Sequence, residues 1–170
     1  MLRKRDTCTT RSPFLASSPD AHVPYFICPN CQSRSVDHDG REGLLDQAAS
    51  CQRCGFGFLF VLMDDYYPAP GVGFLVCDRD ARVLATGKGV FELTGYREPD
   101  LLGRDLVDTL GLRGSDGVEN PVAVALEWGV RRLGERLALR TRAGIDKTVT
   151  ADVFPAYDED GGLLVALAPR

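Results

Sequence analysis

Histidine is almost missing from this chain. Two occur in 170 residues, His22 and His38, and residues 71–170 have none. That scarcity excludes a histidine-based acid/base or nucleophilic set from most of the chain. Long apolar runs are missing too: the longest, 55–63, falls far short of the roughly 20 residues a membrane-spanning helix needs. Arg3-Lys4-Arg5 has the charge of a secretory leader, but residues 6–11 are polar where an apolar stretch should follow. A cytoplasmic chain with no membrane segment is the expectation, and in that compartment thiols stay reduced. An excess of positive charge is also lacking. The net charge is -4, and only residues 1–24 are basic on balance, with four basic and two acidic side chains. Residues 25–70 carry three and six, and residues 71–170 thirteen and sixteen. Nucleic acid is therefore an unlikely partner.

What is present divides the chain into four stretches. Residues 1–24 hold Ser, Thr, Pro and charge without periodicity, which predicts a disordered arm. Residues 25–57 carry most of the cysteine. Residues 58–70 are an apolar connector that turns acidic and closes on Pro68-Ala69-Pro70. Residues 71–170 mix strand and helix patterns. There, 73–78 reads as a buried strand, 78–81 as a turn and 82–86 as the returning strand. Short helices follow over 90–93 and 99–102, the second ending at Gly103. Asn120-Pro121 opens a longer helix expected to run to Gly134, with Arg131 and Arg132 in its last turn facing the helix dipole. Strands over 137–141, 149–155 and 163–168 complete the span, joined by turns at 143–144 and 158–162. Hairpin-linked strands with grouped helices predict an α+β fold.

The cysteines carry the clearest chemistry. Cys28 and Cys31 stand as C-P-N-C, and nineteen residues later Cys51 and Cys54 stand as C-Q-R-C-G. Two residues between cysteines let one tight turn place both sulfurs on the same side of its backbone. Gly55 follows the second pair, where a positive φ is expected. The spacing is that of a tetrathiolate zinc site. Four thiolates fill a tetrahedron and leave no position for water or substrate, so one structural Zn2+ per chain is expected. Some thirty residues bury too little apolar surface to fold unaided, and a metal offsets the deficit. These residues resemble the zinc-ribbon class, with 56–58 as the aromatic strand leaving the second knuckle. Cys8 reads as a free thiol in the arm, Cys77 as a small buried hydrophobe, and His38 as a polar-loop residue outside the ligand set.

The span 73–86, with F-E-L-T-G-Y-R-E-P-D-L-L-G-R-D-L at 91–106 and the strands near the end of the chain, resembles a PAS domain. The resemblance covers about residues 71–170. It implies a five-stranded antiparallel sheet with short helices over one face, and between them a cavity that often holds a small ligand. It also implies a sensing or docking role. Haem held by histidine is excluded for want of histidine. The light-sensing flavin type needs an Asn-Cys-Arg motif on the helical side, whereas Cys77 lies on a strand. Neither haem nor flavin is expected. Where such domains usually have Asn after the second strand, this chain has Thr86-Gly87-Lys88-Gly89.

These readings combine into a non-enzymatic regulatory or signalling module. A structural zinc ribbon is joined to a PAS-like domain that acts through protein partners or as a homodimer. Since residues 163–168 read as the last strand, no output domain is expected after them. The alternative is a zinc-ribbon regulator that binds nucleic acid. The connector's Phe58, Leu62 and Asp65 share one helical face and Leu59, Met63 and Tyr66 another. That much apolar surface is expected to cover the sheet as an N-terminal cap or to bury against a second chain, unless it extends the ribbon's last strand.

Overall fold

The computed structural model describes residues 25–36, 51–62, 66–114, 119–156 and 161–170. The expected arm, Cys8, His22 and His38 lie outside the described residues, as do Met63 and Asp65.

Two sheets are present. The smaller has three short strands, β1 (Tyr25–Ile27), β2 (Arg34–Val36) and β3 (Phe60–Leu62), in the order β2-β1-β3. The larger has five, β4 (Gly73–Cys77), β5 (Val83–Thr86), β6 (Arg132–Arg140), β7 (Asp146–Pro155) and β8 (Leu163–Pro169). Their order is β5-β4-β8-β7-β6, and every pairing is antiparallel. Four helices fill the crossover from β5 to β6: α1 (Val90–Thr94), α2 (Glu98–Leu101), α3 (Leu106–Leu110) and α4 (Pro121–Trp128). This is the α+β layout expected.

Local chemistry accounts for the helix limits. The Val122 amide donates to Asn120 Oδ1 at 3.0 Å, and Pro121 takes the first helical position, where no amide is needed. The Asp108 amide donates likewise to Asp105 Oδ1 at 2.8 Å, starting α3. One expectation is overturned here. α4 stops at Trp128 because the chain turns left-handed at Gly129 (φ 61), so the apolar spacing of Val130 and Leu133 is not helical. Arg132 opens β6 instead and pairs with Glu135 at 2.6 Å.

Both faces of the large sheet are buried. On one side Leu75, Cys77, Val149, Val153, Val165 and Leu167 pack under the helices, against Leu101, Leu106, Leu110 and Val122. On the other, Phe74, Val76, Ala85, Phe154, Leu164 and Ala166 form a second apolar cluster. Antiparallel sheets commonly leave one face wet and alternate apolar with polar. Here β4 is buried at all five positions, so something must cover the second face. The bulge in β5 serves both clusters: Cys77 pairs with Val83 and Val76 with Ala85, which leaves Leu84 over, so Val83 faces the helices and Ala85 the opposite side.

The cover is the small sheet. Ile27 and Leu62 are buried in the second cluster, with Phe56, Phe60 and Tyr66 half-buried against it. The connector thus does cover the large sheet, but not as a helix. Phe60, Val61 and Leu62 pair in register with Ile27, Phe26 and Tyr25, so the strand leaving the second knuckle lies at 60–62 rather than 56–58 and extends past residue 57. Alternation along a strand sends Phe60 and Leu62 to the same side, which no helical spacing would do. Tyr66 then seats its ring edge-on to Phe154, with centroids 4.8 Å apart, and its hydroxyl donates to Asp152 Oδ2 at 3.0 Å.

Candidate metal centre

Two knuckles of one design build the centre. In the first, the Cys28 amide donates to the Ser33 carbonyl (3.1 Å) and the Gln32 amide to the Cys28 carbonyl (2.8 Å). In the second, the Cys51 amide donates to the Phe56 carbonyl (2.8 Å) and the Gly55 amide to the Cys51 carbonyl (2.7 Å). The offsets are identical. So is the backbone: the residue after the second cysteine is left-handed in both, Gln32 at φ 57 and Gly55 at φ 74. Glycine takes that conformation without cost, whereas glutamine's Cβ crowds its own carbonyl.

The knuckles face each other, and their sulfurs pair crosswise. Cys28 Sγ is 3.5 Å from Cys54 Sγ, and Cys31 Sγ is 3.7 Å from Cys51 Sγ. All four lie within 4.8 Å of one another. A disulfide needs about 2.05 Å, so these are free thiols. A tetrahedral ion with metal–sulfur bonds of about 2.3 Å sets its sulfurs about 3.8 Å apart, close to the observed spacing. The four residues therefore fit a thiolate-bound metal ion, and they are the ones that would hold it.

Two neighbours not singled out from the sequence complete the surroundings. Ser33 Oγ lies 3.0 Å from Cys31 Sγ and 3.5 Å from Cys51 Sγ, and Asn30 Nδ2 donates to Cys54 Sγ at 3.5 Å. The signal for both is position: Asn30 sits inside C-P-N-C and Ser33 just beyond it. Their effect is uneven across the cluster. The Ser33 hydroxyl, against some desolvation, holds Cys51 down at about 6. At Cys31 burial works upward, but the Ser33 hydroxyl and amide prevail and lower it. Burial pushes Cys28 up to about 12. Thiols this close cannot all ionise unless a cation sits among them.

The centre is fixed to the large sheet. Pro29, between the first two cysteines, is buried against Gly87 at the end of β5. On the far side of that sheet, Cys77 lies inside the helix-side cluster, its thiol pushed up to about 12 by burial and by Asp78 and Asp105. The buried polar side chains of the described residues are Thr94 and Thr141. Both are engaged: the Thr94 hydroxyl donates to the Val90 carbonyl at 2.7 Å, and Thr141 Oγ1 accepts from the Ile145 amide at 3.1 Å. No helix among the described residues is long and apolar enough to cross a membrane.

The sequence matches no family model and no curated protein. Solved structures do resemble it. A variant of Vivid superposes with a TM-score of 0.50 at 12% identity, over 64% of this chain and 85% of that one. The PAS domain of a Colwellia psychrerythraea protein gives 0.49 at 20% identity, over 59% and 86% of the two chains. The PAS domain of nitrogen regulation protein NR(II) from Vibrio parahaemolyticus gives 0.46 at 13% identity, over 59% and 91%. The five-stranded sheet with its helices on one face therefore has the PAS fold, and Ile27 and Leu62 of the small sheet, which lies beside the four-cysteine cluster in the chain, are packed against its other face.

Proposed function

We propose that this chain is a non-enzymatic regulatory module, a zinc ribbon docked on a PAS-type sensing or docking domain, which acts through a protein partner or a second copy of itself. The observation that carries the reading is the set of four sulfurs within 4.8 Å of one another, built by two matching knuckles. Thiolate donors at that spacing suit Zn2+, and a fourfold sulfur shell has no vacancy for a reacting group. The ion's task is then to hold the ribbon together.

Signalling is the role that fits the rest. The interior under the helices is aliphatic, and the two buried threonines of the described residues are already hydrogen-bonded to backbone. A flavin or haem would find few polar partners among the described residues, which supports the expectation of neither. The PAS domain of a nitrogen regulation protein and a domain of a sensory box sensor histidine kinase/response regulator are among the similar structures. A cytoplasmic location belongs to the same reading, because thiols that hold a metal have to stay reduced.

Native mass spectrometry of the freshly purified chain tests this directly. One zinc per chain, no visible absorbance above 350 nm (roughly where flavin and haem bands begin), and a dimer or a retained protein partner are the expected results. An iron-containing coloured protein, or a metal-free chain with normal folding, refutes the reading. A salt-dependent shift of DNA or RNA would favour the nucleic-acid alternative.

A further inference from the structure

Among the described residues, the small sheet has no interior of its own. Its three strands are three residues each, and the side chains it buries, Ile27 and Leu62, are buried against the large sheet and not against one another's far sides. Its remaining organisation is the pair of knuckles and their sulfurs. Two things therefore hold it in shape, the ion that the four cysteines would bind and the apolar face on which it lies. The large sheet stands differently. Its helix side has a full cluster that includes Leu75, Leu106, Leu139 and Val165, and this owes nothing to the cysteine module. The two faces of one sheet thus differ in what secures them.

We infer that the cysteine module is a metal-latched cover: an ion at Cys28, Cys31, Cys51 and Cys54 holds Ile27 and Leu62 over Phe74, Phe154 and Leu164, and loss of the ion bares that face while the helix side stays packed. The latch acts at a defined point. Pro29 lies between two ligand positions and rests on Gly87, so a change in the first knuckle is felt at once by β5. Without the ion, no bond joins the sulfurs of the first knuckle to those of the second. The three-residue strands then have too little burial to stay ordered. An exposed patch containing two phenylalanines and a leucine is a surface that a folded monomer ordinarily hides. Metal occupancy is thereby converted into the presence or absence of an apolar surface, which is a regulatory device.

The inference rests on the zinc reading, and its test separates the two. Full-length zinc-loaded protein is treated with EDTA, and three quantities are followed. The first is fluorescence of an apolar-surface dye. The second is amide exchange over residues 25–36 and 51–62. The third is alkylation at Cys77 mapped by peptide mass spectrometry. Chelation is expected to raise dye fluorescence several-fold and to abolish protection in the module, with Cys77 still unalkylated and readdition of Zn2+ reversing all changes. The variant G87V should raise dye fluorescence with zinc still bound. If zinc leaves and dye binding and exchange stay as they were, the cover does not depend on the latch and the inference is wrong. If Cys77 is alkylated as fast as the module opens, the two faces are not independent, and it is wrong again. If the purified protein holds no zinc, the functional reading and the latch fall together.

Discussion

Gly87 lies so close to Pro29 that a Cβ built on it would sit 2.7 Å from the Pro29 carbonyl carbon and closer still to its oxygen. The contact explains a departure visible in the sequence. The resemblance implies Asn after the second strand, this chain has Thr86-Gly87-Lys88-Gly89 there, and a side chain at Gly87 would meet the Pro29 backbone. Replacing Gly87 by Val forces the backbones apart, at a cost of about 1–3 kcal/mol. Chemical denaturation should report that loss while zinc per chain is unchanged.

Strand alternation separates two neighbouring leucines. Leu62 is buried in the cluster beneath the cover, whereas Leu59 is only half-buried and lies outside it. Leu62→Asp places a carboxylate in an apolar contact and should cost about 3 kcal/mol or more. Leu59→Asp should cost under about 1 kcal/mol. Equal losses for the two in thermal melts would contradict the strand placement.

Tyr66 ties the connector to β7 through its hydroxyl, and Asp152 also accepts from the Gly134 amide at 2.7 Å. Tyr66→Phe keeps the ring on Phe154 and removes one bond to a carboxylate, so a loss of about 1 kcal/mol is expected. The hydroxyl is held well above its ordinary range by burial and by Asp152, so it stays protonated up to strongly alkaline pH. A melting series at neutral pH checks the magnitude.

Gln32 and Gly55 occupy equivalent left-handed positions, yet only one is glycine. Gln32 is exposed and its replacement removes no buried contact. Gln32→Gly should therefore stabilise the module by about 0.5–1 kcal/mol, the relief of strain exceeding the flexibility gained by the unfolded chain. Slower zinc release to a competing chelator would show it.

Cys77 supplies a pH signature. Its thiol is raised from 9.0 to about 12 by burial, then by Asp78 and Asp105. The unfolded chain loses this proton from about pH 9 upward while the folded chain keeps it, so the stabilisation is complete below pH 9 and is lost as pH rises towards 12. The slope is about 1.4 kcal/mol per pH unit. Comparison of wild type with Cys77→Val at pH 8 and pH 10 isolates it, because only the wild type should show this part of the decline.

The parts legible in the sequence were those with a local cause. Cysteine spacing marked both knuckles, Asn120-Pro121 marked the start of α4, and apolar 73–78 marked a buried strand. Three features were not legible there. Val130 and Leu133 continue a helical spacing by coincidence, and Gly129 overrides it through backbone geometry. The short helix α3 begins on a side-chain cap at Asp105 within a stretch of ambiguous periodicity. The cover depends on pairing between segments far apart: an all-apolar β4 says that both faces are hidden, but not that Ile27 and Leu62 hide one of them. Ser33 and Asn30 escaped notice because a hydrogen bond to sulfur leaves no periodic trace.

The surplus residue at Leu84 bears on how this domain can be edited. Positions two apart on a strand ordinarily share a face, and Val83 and Ala85 take opposite faces because one position is left out of the pairing. Deleting Leu84 would make the two adjacent, and ordinary alternation would still send them to opposite faces. Leu84, which is 46% exposed, is therefore open to substitution and to removal alike. The side each neighbour faces, rather than the length of the strand, is what this site keeps constant.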